Sequence, residues 1–183
     1  MNRLHRARFG RAKTTRRAFA PGLLLLAATL VASSSSAAEL AYEGTFAWLA
    51  VGTTYTIEDN HSYFVGEFGG SLVATSKSGP FHGIGIVCPG FNDIGVAGGG
   101  YCVLTDAAGD KAFMDWTCKP AAPTPGALVT SDCSLNFTGG TGKFSGAKGS
   151  GPFAAYITAI NPNGKASGYS TVEPAILVSV DGQ

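Results

Sequence analysis

The chain has 183 residues, a formal net charge of +1 and 26 glycines. Residues 1–38 hold seven of the 13 basic residues and none of the 12 acidic ones, so their removal would leave 145 residues with six lysines, no arginine and a charge of −6. A single acidic domain of this size excludes a large multidomain enzyme and is a poor partner for nucleic acid or an anionic membrane surface.

Residues 1–38 have the organisation of an export signal. Residues 1–20 are rich in arginine, residues 21–32 are apolar, and small residues precede a cleavage site after Ala38. The apolar run is shorter than the ~20 residues of a membrane helix, so we expect no membrane span in the mature form. Thr15-Arg16-Arg17-Ala18-Phe19 resembles the twin-arginine motif; a general secretory signal is the alternative. Both predict a bacterial periplasmic or secreted protein whose single domain covers residues 39–183.

The mature chain alternates apolar and polar residues between clusters of Gly, Pro, Asn and Asp, a pattern typical of β-strands. Eight strands are predicted: residues 41–51, 63–75, 81–87, 96–105, 111–119, 127–137, 143–160 with a break at the glycines, and 175–180. Eight short strands with short connections favour an all-β fold, a small antiparallel eight-stranded closed barrel, because closure leaves no exposed sheet edge. A β-sandwich is the alternative.

Four cysteines lie in the mature chain, where an oxidising compartment favours disulfides. Successive cysteines are separated by 13 to 15 residues, close to one strand-turn-strand length. This spacing favours the pairs Cys88 with Cys102 and Cys118 with Cys133; a bridge from Cys102 to Cys118 is the competitor. No C-x-x-C and no paired histidine motif is present, so no metal site is expected.

Glycine recurs within the predicted strands, at Gly66 and Gly70 and again at Gly98 and Gly100. A bare strand face, meaning one where glycines stand in place of side chains, allows strong coiling at the corners of a small barrel or leaves open volume inside it. The first use is structural, and the second would create a ligand cavity. The sequence leaves both open.

Glu67, Asp115 and His82 are the candidate catalytic residues, because each lies within an otherwise apolar predicted strand. An inward-facing carboxylate would be suited to acid-base chemistry, while a carboxylate on the solvent face is the alternative for both acidic residues. His82 shares a predicted strand face with Ile84 and Ile86, which makes it a candidate interior base. A histidine at a strand end, bonded to backbone, is its alternative.

Four aromatic residues are candidates for lining a ligand site: Tyr101, Phe113, Trp116 and Phe64. Ordinary core packing is the alternative for such side chains. Asp106 and Asp110 bracket the turn between two predicted strands, where carboxylates commonly cap backbone amides. The full calcium-loop pattern is absent there.

The most distinctive stretch is Thr138-Gly139-Gly140-Thr141-Gly142-Lys143-Phe144-Ser145-Gly146-Ala147-Lys148-Gly149. It is not a phosphate-binding loop, because Phe144 stands where that loop needs Ser or Thr. It resembles the Gly-Gly-Thr-Gly-(Lys/Arg)-(Phe/Tyr)-x-Gly-x-x-Gly signature of allene oxide cyclase and dirigent-like barrels. Residues 100–111 are similar to a hairpin of bacterial relatives in that superfamily, and the resemblance covers residues 96–154.

The resemblance implies an eight-stranded antiparallel barrel with an apolar interior, commonly a homotrimer. Plant members cyclise an unsaturated fatty-acid epoxide or steer the coupling of phenoxy radicals. None of their catalytic residues can be placed on this chain, and its cysteines, its export signal and the insert at residues 119–126 depart from the plant pattern. No cofactor is expected.

Three functions follow from this reading. The first is binding of a small hydrophobic molecule inside the barrel. The second is a cyclase or isomerase acting on an apolar unsaturated substrate. The third is a structural or interaction protein whose barrel is filled by side chains. A fold implied by resemblance does not decide among them.

Overall fold

A computed structural model describes residues 37–59, 61–161 and 163–181. All but the last two residues of the predicted export signal lie outside this described part. Eight strands follow in chain order: β1 (Ala38–Glu58), β2 (His61–Val73), β3 (Gly85–Asp93), β4 (Ala97–Thr105), β5 (Lys111–Pro120), β6 (Val129–Gly140), β7 (Gly149–Asn161) and β8 (Lys165–Val180). Each strand pairs antiparallel with its sequence neighbour and β8 pairs with β1. The predicted closed eight-stranded barrel is confirmed.

The eight predicted strands correspond one to one with the observed strands, but three of them, β3, β7 and β8, begin four or more residues from the predicted start. Residues 79–84 form a turn, so β3 begins at Gly85, and β7 begins at Gly149 after a short 3-10 helix. The first half of β8 was missed because residues 165–174 are mostly small or polar. This half pairs with β1 on one side and β7 on the other, and such pairing overrides a weak strand propensity.

Inward and outward side chains alternate along the strands, as the pleat of a β-sheet requires. On β1, Tyr42, Phe46 and Trp48 are buried inside the barrel, while Leu49 and Val51 are about half exposed on its outer surface. The other strands contribute further apolar side chains to the same interior. The core of this protein is therefore the inside of the barrel.

A plug of two aromatic rings, Phe81 and Phe144, closes one end of the barrel. Phe81 comes from the turn before β3, and Phe144 ends the 3-10 helix Gly142–Phe144 in the glycine-rich stretch. The two rings stack with centroids 5.2 Å apart, and both side chains are almost fully buried. Gly142 has a φ of 53°, a left-handed conformation that favours glycine. The glycine-rich motif thus builds the closed end.

A carboxylate-capped turn connects β4 to β5 next to this plug. Asp106 Oδ1 accepts hydrogen bonds from the backbone N–H groups of Ala108, at 2.8 Å, and Asp110, at 2.9 Å. The ammonium group of Lys143 pairs with the other oxygen of the same carboxylate. The bond from Lys143 and the two backbone bonds lower the pKa of Asp106 below its ordinary value. The predicted capping role of Asp106 is confirmed.

Two disulfides join neighbouring strands on the inner face of the barrel. Cys88 on β3 is bonded to Cys102 on β4, and Cys118 on β5 to Cys133 on β6. The Cα atoms are 4.0 Å and 4.1 Å apart, because the strand register sets each pair directly opposite. The pairing favoured by the sequence is confirmed.

Candidate functional site

The barrel end away from the plug opens into an interior cavity of about 80 Å³. Tyr42 lies at its inner end, and the charged residues Asp93 and Lys119 lie at its mouth, where β3 and β5 end. Aromatic side chains form much of the wall: Phe46, Trp48, Phe68, Trp116 and Phe153. A second cavity of about 20 Å³ shares Trp48 and Phe68 with the first. The interior cavity is thus apolar, with polar groups concentrated at its mouth.

The ring of Phe68 is the centre of the aromatic wall. It meets Trp48 edge to face at 5.4 Å between centroids, Phe64 at 5.6 Å and Trp116 at 5.7 Å. Edge-to-face pairs of this kind are favourable beyond their buried area. The rings therefore hold one another in place around the cavity.

Glycines on the inner face of the strands make room for these rings. The indole of Trp116 lies across β3 and β4, where a Cβ atom at Gly90 would be 2.8 Å from Cζ2 and one at Gly100 would be 3.1 Å from Nε1. The ring of Phe64 lies against Gly66 in the same manner, because a Cβ atom at Gly66 would be 2.5 Å from Cζ of Phe64. These glycines permit close approach of aromatic rings, so their bare faces are occupied and are not open volume.

The aromatic side chains of the cavity wall also carry polar hydrogens. The indole N–H of Trp48 donates to Ser170 Oγ at 3.2 Å. The indole N–H of Trp116 is buried without an acceptor among the described residues. The hydroxyl of Tyr42 likewise makes no hydrogen bond within the described part of the chain, and burial raises the pKa of this phenol far above its ordinary value. Tyr42 is therefore a neutral hydrogen-bond donor at the inner end of the cavity.

A hydrogen-bonded pair, His61 and Asp93, lies where β2 begins and β3 ends, and Asp93 lines the cavity mouth. Nε2 of the imidazole bonds to Oδ1 of the carboxylate, and the two side chains are 33% and 24% exposed. His61 lies outside the predicted strand at residues 63–75, whereas it is the first residue of β2. The partners are 32 residues apart in the chain. They meet because β2 and β3 pair with Tyr63 directly opposite Asp93, and His61 lies two residues before Tyr63 on the same strand face. No local sequence signal could have identified this pair.

The three candidate catalytic residues lie outside the interior cavity. Glu67 is exposed on the outer face of β2, and Asp115, on the outer face of β5, accepts a hydrogen bond from Asn136 Nδ2 at 3.2 Å. Their neighbours Phe68 and Trp116 take the inward positions, which turns both carboxylates outward. His82 is exposed in the turn that precedes β3 and does not share a strand face with Ile84. The structure does not bring these three side chains together.

The four candidate ligand-binding aromatics divide into two pairs. Trp116 lines the larger cavity and Phe64 the smaller one. Tyr101 is 69% exposed on the outer surface, and Phe113 is half-buried there. Both alternate with inward residues, Cys102 and Met114, so they face away from the cavity.

Apolar side chains also cover part of the outer surface of β1 to β4. Leu49, Val51, Val65, Val87 and Tyr101 are each more than 40% exposed. The register sets Leu49 beside Gly69 and Gly69 beside Val87, so this apolar area crosses several strands. The homotrimer implied by the resemblance stays a prediction, since a single chain is described.

Within residues 37–59, 61–161 and 163–181, no three His, Cys, Asp or Glu side chains come together in a way that could hold a metal ion. Over the same residues, no helix has the length and apolar character needed to cross a membrane.

Comparison with known proteins gives no match for this chain. No family model, no curated protein and no solved structure matches it. The resemblance to allene oxide cyclase and dirigent-like barrels therefore stays a prediction based on the glycine-rich motif.

Proposed function

We propose that this chain is an exported β-barrel protein that binds a small hydrophobic molecule through the open end of its interior. The observation that carries the proposal is the interior cavity, which has aromatic walls, a closed inner end and a polar mouth. Apolar pockets with a few placed polar groups are the usual form of a small-molecule site.

The cavity volume limits what such a ligand can be. About 80 Å³ is below the ~300–1,000 Å³ of pockets that enclose drug-sized molecules, and below the ~150 Å³ of an engineered cavity that binds benzene. One end of the ligand, such as a short branched or linear group, would therefore enter between the aromatic side chains. The remainder would lie at the mouth beside Asn92 and Ser131.

The disulfides support both the binding site and the export. Cys88, Cys102 and Cys118 line the cavity, so the cross-links hold adjacent wall strands together before a ligand arrives. Two disulfides also fit an oxidising compartment, in agreement with the export signal predicted for residues 1–38. We propose a periplasmic or secreted location, and membership of the allene oxide cyclase and dirigent-like superfamily is part of the same proposal.

The test begins with the exported protein purified under gentle conditions. Native mass spectrometry, followed by denaturing extraction and small-molecule analysis, is expected to find a co-purified apolar compound. Independently, titration with α-methylstyrene should change the tryptophan fluorescence, because both tryptophans of the chain line the cavity.

Substitutions at two neighbouring alanines test whether the probe binds inside the cavity. Ala155 lines the cavity, whereas its neighbour Ala154 alternates with it and does not. Ala155→Trp should abolish the fluorescence change, and Ala154→Trp should retain it. A ligand-free mass together with no response to α-methylstyrene would contradict the proposal and favour a filled barrel that acts through its outer surface.

A cyclase or isomerase is a second candidate, and the His61–Asp93 pair at the mouth favours it. A carboxylate beside an imidazole orients that ring for proton transfer. Asp93 lines the cavity mouth and His61 does not, so a reactive group held there would reach this pair through the Asp93 carboxylate. Incubation of the purified protein with its co-purified compound would then yield a rearranged product.

Variants separate turnover from binding in this second candidate. Asp93→Asn and His61→Gln should lose the product while retaining the bound compound. Glu67→Gln, Asp115→Asn and His82→Gln alter residues outside the cavity and are the matched controls. An unchanged compound after incubation with the wild-type protein would leave binding as the function.

A further inference from the structure

Tyr42 is an uncommon residue for the inner end of an apolar cavity. It is 2% exposed, and its ring meets Phe81 and Phe137 edge to face at 5.2 Å each. Its hydroxyl makes no hydrogen bond to any described residue. Because the cavity reaches this hydroxyl, Tyr42 offers a hydrogen-bond donor there that phenylalanine would not.

Neighbouring groups do not pair with this hydroxyl. Ser170, which also lines the cavity, accepts the N–H of Trp48 and makes no hydrogen bond to Tyr42. The rings that Tyr42 meets, Phe81 and Phe137, are apolar, and most of the other lining side chains are apolar too, including Val172, Leu135 and Met114. The hydroxyl is therefore available to a molecule that enters the cavity.

The charges around the cavity restrict the acceptor to a neutral group. Among the lining residues, Lys119 is the cation, and it lies at the mouth with Asp93. A carboxylate or phosphate at the inner end would lose its hydration without gaining a counter-ion, which is strongly unfavourable. A carbonyl oxygen accepts a hydrogen bond without carrying a charge or adding a donor that needs a partner.

We infer that the ligand of this barrel is a neutral carbonyl compound, such as a ketone or ester on an apolar ring or chain, whose oxygen accepts a hydrogen bond from Tyr42. This inference rests on the proposed binding function. It assigns Tyr42 as the residue that selects carbonyl ligands over hydrocarbons of the same shape.

Three probes of similar shape test the inference. Acetophenone carries a carbonyl, α-methylstyrene replaces that oxygen with a methylene group, and benzoate replaces the acetyl group with a carboxylate. Each is titrated against the wild type and Tyr42→Phe by calorimetry and tryptophan fluorescence. Tyr42→Phe should weaken acetophenone binding about 3- to 10-fold and change α-methylstyrene binding less than about 2-fold. Benzoate should bind the wild type at least about tenfold more weakly than acetophenone.

Tyr156→Phe is the matched control, because Tyr156 stacks on Tyr169 and does not line the cavity. It should leave the affinities for all three probes unchanged. A second measurement needs no variant: the carbonyl stretch of bound acetophenone should move to lower frequency than in hexane.

The outcomes distinguish the inference from the proposed function. Equal losses for acetophenone and α-methylstyrene in Tyr42→Phe, or an unshifted carbonyl stretch, would overturn the carbonyl inference while binding itself stands. Failure of both neutral probes to bind the wild type, together with a ligand-free mass, would overturn the proposed function and the inference together.

Discussion

The indole ring of Trp48 lies against the backbone of Gly168, its register partner on β8. A Cβ atom at residue 168 would be 2.5 Å from Cζ2 of the indole, and closer still to the carbonyl oxygen of Tyr156. The position of Trp48 in the cavity wall, and its hydrogen bond to Ser170, therefore depend on the absence of a side chain at residue 168.

Gly168→Ala is expected to lower the free energy of unfolding by about 1–3 kcal/mol, because a backbone carbonyl and a fixed indole ring would both have to move. Urea denaturation measures the effect. Gly69→Ala is the control, since no atom lies within 4 Å of the Cβ that it would add. It should leave stability unchanged or raise it by about 0.5 kcal/mol. Equal losses in the two variants would contradict the packing argument.

Local patterns in the sequence were enough to predict the number and order of the strands and the two disulfides. Alternation and turn residues are local signals, and cysteines one hairpin apart are brought together by any antiparallel pairing. The missed half of β8 shows the limit of this reasoning. Its polar residues form a strand because β1 and β7 both offer partners, which is a tertiary effect.

The inward face of each strand was harder to predict than the strand itself. Period-two counting separates Glu67 from Phe68 and Asp115 from Trp116, but it does not say which member of each pair is inside. Glycines at inward positions weaken the alternation of apolar and polar residues that marks the buried face. The space beside each such glycine is filled by an aromatic ring from another residue. The His61–Asp93 pair depends on the register of β2 and β3, which the sequence does not specify.

Removing either disulfide should destabilise the barrel to a similar extent. The bridges close loops of 14 and 15 residues, for which the chain-entropy estimate is about 3 kcal/mol each at 25 °C. The double variants Cys88→Ala/Cys102→Ala and Cys118→Ala/Cys133→Ala, unfolded in guanidinium chloride, provide the measurement. A loss below about 0.5 kcal/mol for either pair would show that its cross-link does not restrict the unfolded chain.

Asp106→Asn is expected to lower the melting temperature at pH 7, because the amide keeps one acceptor for the backbone but loses the charge that attracts Lys143. The pKa of Asp106 is depressed in the folded state, so its carboxylate stabilises the fold above its ordinary pKa near 4. That contribution disappears as the pH falls through the folded pKa. The melting temperatures of the wild type and the variant should therefore converge below pH 4.

A matched control for Asp106 is available on β6. Asp132→Asn removes an exposed carboxylate that has no ion pair among the described residues. Thermal unfolding of this variant should give the wild-type melting temperature at pH 7. A loss equal to that of Asp106→Asn would indicate an effect of net charge, and not of the capped turn.

Tyr42→Phe should leave stability close to that of the wild type near neutral pH and make the protein more stable than the wild type in alkali. Near neutral pH the variant loses only a hydroxyl that makes no hydrogen bond to the described residues, so its free energy of unfolding is expected to equal that of the wild type within about 1 kcal/mol. Burial raises the pKa of Tyr42 in the folded state above the ordinary value near 10. Above pH 10 the unfolded wild type loses this proton while the folded protein keeps it.

The wild type should therefore lose about 1.4 kcal/mol per pH unit relative to Tyr42→Phe as the pH rises above 10. Urea unfolding of both proteins between pH 8 and pH 11 measures this divergence, and charges shared by the two proteins cancel in the comparison. Parallel pH profiles would mean that the Tyr42 phenol can ionise without unfolding the barrel. Water or an internal partner would then reach the inner end of the cavity, and the hydroxyl would not be reserved for a ligand.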